Sequence, residues 1–198
     1  ETCKWQEDVL VNTGYLSHDI DNKCVVTLMG RACSGINETD AFLTVEYLIK
    51  LFERFENNDT MKSTLAFILG TFVDEKELNK EDSENAETFK ERYKELLSSQ
   101  NVIDYVNYEM TELKQTHERL AYEERLRDPS LCLTPEFGAY VYLWTIEEMS
   151  YNDIVQKLNS TLYEGNFVKN MLKVYNICEE WKTVAEIYQR PDFGAMIS

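Results

Sequence analysis

The chain has 198 residues, and its 36 acidic against 20 basic side chains give a formal net charge of −16. With 43% hydrophobic and 12% aromatic residues the chain cannot be wholly disordered, and 7 glycines and 3 prolines are too few for a many-turned β-sandwich. The composition therefore predicts an all-α protein of one or two closely packed units, and its acid excess means that any nucleic-acid contact must be local.

Residues 1–39 are predicted to be a short irregular segment that connects to a helical bundle at 40–198. Turn signals lie at 12–14 and 19–22, and a β-like run follows at 25–28. The sequence has no signal peptide and no run of 18 apolar residues, which predicts no membrane contact. Because the chain begins with Glu1 rather than Met, it is also interpreted as a processed or trimmed piece.

The next stretch predicts three helices. Asp40 is expected to cap a mostly buried helix, Thr60 to open a shorter one and Gly70 to end it. A charged spacer follows at 74–83, and the absence of Gly and Pro beyond it predicts one long central helix over 84–126, the longest element of the chain. Its buried seam has a regular 3–4 spacing and comprises Ile103, Val106, Met110, Leu113, His117 and Leu120. On that seam His117 is interpreted as a packing residue.

The last third predicts three more helices. Thr134 is a predicted N-cap with Pro135 at the first helical position, and Ser150 with Asp153 has the spacing of a capping box. A helix of about seven turns is expected from Glu164 to just before Pro191. Trp144 and Trp181 lie on apolar helical faces, so both are predicted to be largely buried.

A small basic cluster lies on the final long helix. Lys169 and Lys173 are four residues apart and share a face with Asn176. They are candidates for phosphate contact, and the alternative is that both lysines are merely solvated.

No catalytic or metal-binding motif is found. The five cysteines form no C-x-x-C pair, and the two histidines, His18 and His117, are far apart, so we expect reduced thiols, no metal site and an intracellular setting, nuclear or cytoplasmic. A hydrolase with paired carboxylates is disfavoured because 36 acidic residues bring some together by chance. DNA recognition is disfavoured because the helix after 151–158 lacks arginine until its far end.

Several spaced blocks resemble the DSHCT domain, the C-terminal helical domain of DExH-box RNA helicases that feed the RNA exosome. "TLMGRACSGI" at 27–36 is similar to the family's "vTlkGRvAceI", and "PEFGAYVYLW" at 135–144 to its "P-x-L-M-x-x-V-Y-x-W". Residues 164–169, "EGNFVK", resemble its "EGsiiR", the start of the ratchet helix that touches RNA. Downstream of this block the family's "RrLee" is "LKVYN" here, and the family's last helix is expected to be missing.

The resemblance implies roles for particular residues. Gly30 would allow a backbone turn that aims Arg31 at Glu46, and the alternative is an Arg31 without a partner. Trp144, Glu164 and Gly165 belong to the family motifs. Lys169, Lys173 and Asn176 would then be the RNA contacts, with a weaker grip than arginine provides.

Two functions follow from the resemblance. The first is a non-catalytic domain of an exosome-associated, ATP-dependent RNA helicase, with the helicase core in cis, RNA and exosome or exosome-adaptor proteins as partners. This chain would then hold no cofactor, because ATP and Mg²⁺ would bind to the core. The alternative is a stand-alone DSHCT-like interaction protein that binds a protein or ribonucleoprotein partner, which the charge of −16 favours.

Overall fold

A computed structural model describes residues 2–75, 78, 91, 93–97, 100–129 and 133–198. In these residues the protein is mostly α-helical, which confirms the predicted fold class. Two short strands are described, β1 (Leu16–His18) and β2 (Cys24–Val26). The described helices are α1 (Thr2–Asn12), α2 (Leu28–Ser34), α3 (Ala41–Arg54), α4 (Asp59–Thr71), α5 (Gln100–Glu118), α6 (Pro135–Thr145), α7 (Tyr151–Leu158), α8 (Glu164–Ile187) and α9 (Pro191–Met196).

The N-terminal segment has more regular structure than the turn signals predicted. Helix α1 was not predicted, and the β-like run pairs as β2 with β1 in an antiparallel hairpin, with Leu16 opposite Val26. Thr27 ends the hairpin and caps α2, since its side chain accepts a hydrogen bond from the Gly30 N–H at 3.2 Å. The division of the chain at residue 39 stays a prediction.

Helices α3 and α4 begin at aspartate and asparagine caps. Asp40 Oδ1 accepts a hydrogen bond from the Leu43 N–H at 2.8 Å, which confirms the predicted cap. For α4 the predicted ends are wrong: Asn58 caps it, through the Met61 N–H at 2.8 Å, and the helix continues through Gly70 to Thr71. A glycine alone does not end a helix whose backbone hydrogen bonds continue.

Gly70 and Gly138 let α4 and α6 pack closely against each other. A Cβ atom on Gly70 would lie 2.7 Å from the Phe137 carbonyl oxygen and 2.8 Å from Gly138 Cα. A Cβ on Gly138 would in turn lie 2.5 Å from the Phe67 carbonyl oxygen. Contacts this short are not tolerated in real structures, so the seam requires both glycines. We call it the α4–α6 seam.

The prediction of one helix over 84–126 is wrong in its bounds. Residues 94–97 form a turn, α5 begins at Gln100, and a π-helical turn, Arg119–Glu123, follows it; the part of the prediction at 84–90, 92 and 98–99 lies outside the described residues. The longest described helix is α8, with 24 residues. The predicted seam holds, because every apolar member of it on α5 and the π turn is buried.

The C-terminal helices match their predicted bounds closely. Thr134 and Pro135 start α6 as predicted, and Ser150 caps α7 by accepting from the Asp153 N–H at 3.3 Å. Helix α8 passes through the core, where Trp181 is fully buried and packs edge-on against Phe72, with ring centroids 5.3 Å apart. No helix among the described residues is both long and apolar enough to cross a bilayer.

Candidate nucleic-acid interface

Helix α8 presents the predicted basic cluster on one flank. Tyr163 is its N-cap, and Glu164 lies in its first turn. Lys169 is exposed and Lys173 is half-buried, while Phe167 and Val174 point into the core. We call Lys169 and Lys173 the basic flank of α8.

Lys173 lines a cleft of about 320 Å³ beside the basic flank. The cleft lies between α8, the start of α3 and the segment that follows α4. It contains two cationic side chains, Lys173 and Arg127, and three carboxylates: Glu38, Asp40 and Asp74. Its polar lining can therefore bind an anion only where the lysine and arginine are closer to it than the carboxylates are.

Arg127 is a buried member of this cleft that the sequence analysis missed. Its Nη1 lies 3.6 Å from Asp40 Oδ1, and its Nε donates to His117 Nδ1 at 2.6 Å. A single arginine beside a helix break gives no periodic signal. The hydrogen bond agrees with the interpretation of His117 as a packing residue.

Asn176 is held by the loop that precedes α3. Its Nδ2 donates to Glu38 Oε2 at 3.3 Å. The Glu180 carboxylate accepts from the backbone N–H groups of Asn37, at 2.8 Å, and Glu38, at 3.1 Å. These bonds attach the loop to α8, so the Asn176 amide is partly engaged and a ligand must compete for it with Glu38.

The buried interior of α8 is also polar at one point. Asn170 is fully buried and donates from Nδ2 to Glu75 Oε2 at 2.5 Å, which ties α8 to the segment after α4. On the same helix burial raises the pKa of the Cys178 thiol to about 11. That thiol is therefore protonated at neutral pH and is not a nucleophile there.

The predicted pair of Arg31 and Glu46 is wrong. Arg31 is exposed on α2, while Glu46 is buried and forms an ion pair with Arg119 from the π turn. Glu46 also accepts a hydrogen bond from the Tyr15 hydroxyl at 2.6 Å. Two residues distant in sequence thus satisfy Glu46, and burial of Ala32 on the inner side of α2 turns Arg31 outward.

The proposed turn at Gly30 is wrong as well, because Gly30 lies within α2. A Cβ there would collide with the Tyr15 carbonyl oxygen and lie 2.8 Å from Val26 Cγ1. The glycine therefore lets α2 approach the hairpin. It does not aim a side chain.

Trp144 is not buried, contrary to prediction. It is 43% exposed near the end of α6, and its ring centroid lies 5.2 Å from that of Phe167. The adjacent Leu143 takes the inward position instead. Gly165 is exposed, and a Cβ there would meet nothing within 4 Å, so packing does not explain the Glu164–Gly165 pair.

No metal centre is found in the part of the chain that the structure describes: no three His, Cys, Asp or Glu side chains lie close enough to hold an ion. Residues 23–197 match the family described as the DSHCT (NUC185) domain. No curated protein matches the chain.

Proposed function

The chain belongs to the DSHCT family, a C-terminal domain of helicases, and from this we propose that its basic flank contacts single-stranded RNA that leaves a helicase core. The observation that carries the proposal is the position of Lys169 and Lys173, one helical turn apart on one flank of α8. Asn176 is the third candidate contact, in competition with Glu38.

The positive charge of the basic flank supports this proposal, although the total charge of the chain opposes RNA binding. Two lysines one helical turn apart can each neutralise a neighbouring phosphate, and the N-terminus of α8 adds a partial positive charge about one turn from Lys169. The net charge of −16 repels RNA from most of the surface. RNA is therefore expected to bind only where a helicase core already holds the strand close to α8.

The remaining partners follow from the same proposal. A helicase core in cis would bind ATP and Mg²⁺, and this chain would bind neither. Exosome or exosome-adaptor proteins would act on the RNA after it passes α8. The place of action would be the nucleus or the cytoplasm, where RNA is processed and degraded.

The test is the double variant Lys169→Glu/Lys173→Glu in the intact helicase. RNA binding and unwinding should weaken while ATP binding stays unchanged, and the reduction should shrink as salt rises. The slope of log affinity against log salt should fall by roughly 0.7 for each lysine–phosphate pair that the double variant removes.

The matched control is Lys50→Glu/Lys62→Glu, which makes the same change of charge at two exposed lysines on α3 and α4. Equal reductions in the two double variants would show only the effect of total charge. Wild-type RNA binding by Lys169→Glu/Lys173→Glu at low salt would overturn the proposal.

A stand-alone interaction protein is the second candidate, and the charge of −16 favours it. The open reading frame that encodes the chain separates the two candidates. A phosphate-binding Gly-Lys-Ser/Thr loop and a DExH box upstream of Glu1 would support the helicase, whereas a start codon near Glu1 would support the stand-alone protein.

A further inference from the structure

The cleft beside the basic flank combines buried apolar side chains with charged ones. Its apolar lining includes Leu43, Phe72, Val73 and Ile177, all of which are buried. Its volume of about 320 Å³ lies at the lower end of the range for small-molecule pockets, roughly 300–1,000 Å³. A flat ligand with apolar faces and polar edges fits such a lining, because its faces can pack on the apolar side chains while its edges meet the charged ones.

The charges of the cleft disfavour a phosphate group inside it. Three carboxylates and two cationic side chains line the cleft, so a phosphate there would meet more negative than positive charge. One of the two cations, Arg127, lies 3.6 Å from Asp40, whose carboxylate also caps α3. The ligand expected in the cleft therefore carries no net charge there and has hydrogen-bond donors as well as acceptors.

Two of the charged groups remain available to a ligand. Among the residues that the structure describes, neither Lys173 nor Glu38 forms an ion pair. The Glu38 carboxylate accepts a hydrogen bond from the Asn176 amide at 3.3 Å and keeps further acceptor positions, since a carboxylate can accept about four. Asn176 is three residues after Lys173, so their side chains are neighbours on α8. One small ligand can therefore contact an acceptor at Glu38 and a donor at Lys173.

Among the RNA bases, guanine presents the complementary groups. Its N1–H and its amino group lie side by side and can both donate to one carboxylate, while the adjacent O6 accepts from a lysine. Uracil has a single N–H between two carbonyl oxygens, so a carboxylate at its edge also meets an acceptor. Single-stranded RNA offers unstacked bases whose edges proteins read by hydrogen bonds.

We propose that the cleft binds one unstacked guanine base of a single RNA strand. Glu38 accepts from the N1–H and the amino group, and Lys173 donates to O6. A lysine has three N–H donors, so Lys173 can also contact the phosphate beside this base, and Lys169, one turn away, meets a neighbouring phosphate. The inference rests on the proposed RNA contact of the basic flank and adds a preference for one base to it.

The experiment titrates the isotope-labelled chain with two single-stranded RNA hexamers, one of uridine alone and one with a single guanine at its centre, and follows amide shifts by nuclear magnetic resonance. The guanine hexamer should bind about tenfold more tightly, which is the discrimination typical of one bidentate contact to a base. Its additional amide shifts should concentrate at residues 38–40, 72–74 and 173–177. A hexamer with inosine in place of guanine lacks the amino group and should lose most of this advantage.

The variant Glu38→Gln tests the carboxylate. It should reduce the affinity ratio of the guanine hexamer to the uridine hexamer to less than about threefold, because an amide offers one acceptor where the carboxylate offers two. Removal of a negative charge raises the affinity for both hexamers and cancels in the ratio. The matched control Glu53→Gln, at an exposed glutamate on α3, should leave the ratio unchanged. Thermal melting checks that Glu38→Gln folds, and the inosine hexamer tests the same contact in the unaltered chain.

Equal affinity for the guanine and uridine hexamers would overturn the proposal, and so would an unchanged ratio in Glu38→Gln. The other possible occupant is a basic side chain of a partner protein, for which N-acetylarginine amide is the probe. Shifts of the cleft amides with this probe but not with the guanine hexamer would also overturn the proposal. The RNA proposal for the basic flank is tested separately, because Lys169→Glu/Lys173→Glu should weaken both hexamers whatever their bases are.

Discussion

The core of the protein and its exposed surface near α8 contain the same kinds of residue in opposite surroundings. Trp181 is fully buried among aromatic rings, whereas Trp144, near the end of α6, is 43% exposed. Gly138 lies in the α4–α6 seam, where no Cβ fits, whereas Gly165 has open space around it. Residue type therefore does not separate the core of this protein from its exposed surface, and the surrounding contacts do.

The two tryptophans give the largest expected difference. Trp181→Ala should lower the free energy of unfolding by about 3–5 kcal/mol, because it leaves a cavity among Tyr47, Phe72 and Phe193. Trp144→Ala should cost roughly 1 kcal/mol, since it removes mainly the packing of this ring on Phe167. Chemical denaturation measures both values. Equal changes would contradict the difference in burial.

The alkylation rates of two cysteines, Cys178 and Cys24, test the same contrast between shielded and exposed positions. Burial raises the pKa of the Cys178 thiol to about 11, so its thiolate, the form present above the pKa, is about 100-fold scarcer at pH 8 than in an ordinary thiol. Because a thiolate of higher pKa is also the stronger nucleophile, the difference in rate is smaller than the difference in thiolate population, and iodoacetamide should modify exposed Cys24 about tenfold or more faster than Cys178, as followed by peptide mass spectrometry. In denaturant the two rates should become similar. Similar rates in the folded protein would contradict the partial burial of Cys178.

Replacement of Gly138 and of Gly165 by alanine should change the free energy of unfolding in opposite directions. Gly138→Ala forces a Cβ against the Phe67 carbonyl oxygen and should destabilise the protein by about 1–3 kcal/mol, despite the better helix propensity of alanine. Gly165→Ala gains that propensity without a clash and should stabilise by up to about 0.5–1 kcal/mol. Thermal melting curves of the two variants measure both changes in stability. A neutral Gly138→Ala would mean that α4 and α6 can separate at little cost.

The exposed apolar side chains of α8, among them Leu172, should contribute least to stability. Leu172→Asn removes an exposed side chain and should change the free energy of unfolding by less than about 0.5 kcal/mol. Urea unfolding of this variant beside the unaltered chain provides the measurement. A decrease above about 1.5 kcal/mol would show that Leu172 packs within this chain, contrary to its exposure in the structure.

Local signals predicted where several helices begin. Asp40 and Ser150 cap their helices as expected, and α7 and α8 begin where the capping pattern and Glu164 indicated. A cap is made by a side chain and a backbone N–H within three residues, so the sequence contains both partners. The inward position of Trp181 was predictable for a similar reason, because helical periodicity fixes which residues share a face.

Contacts between distant segments were not predictable in this way. The resemblance paired Glu46 with Arg31, the nearest arginine before it, but its partner is Arg119, 73 residues away. The sequence predicted a helix end at Gly70, although this glycine lies in the α4–α6 seam. In each case the residue is compatible with more than one arrangement: Glu46 can pair with more than one arginine, and a glycine can end a helix or allow close packing. Only the packing of whole helices determines which arrangement forms.

The candidate site also has a part that the sequence predicted and a part that it could not predict. The sequence by itself determined that Lys169 and Lys173 share a face of a long helix, because a spacing of four residues does so in any α-helix. Only the tertiary structure decided that Lys173 opens into a cleft with Arg127 and that Asn176 is held by Glu38. It also decided that Trp144 and Leu172 stay exposed, because burial depends on which other elements reach a face, and that is a property of the whole fold.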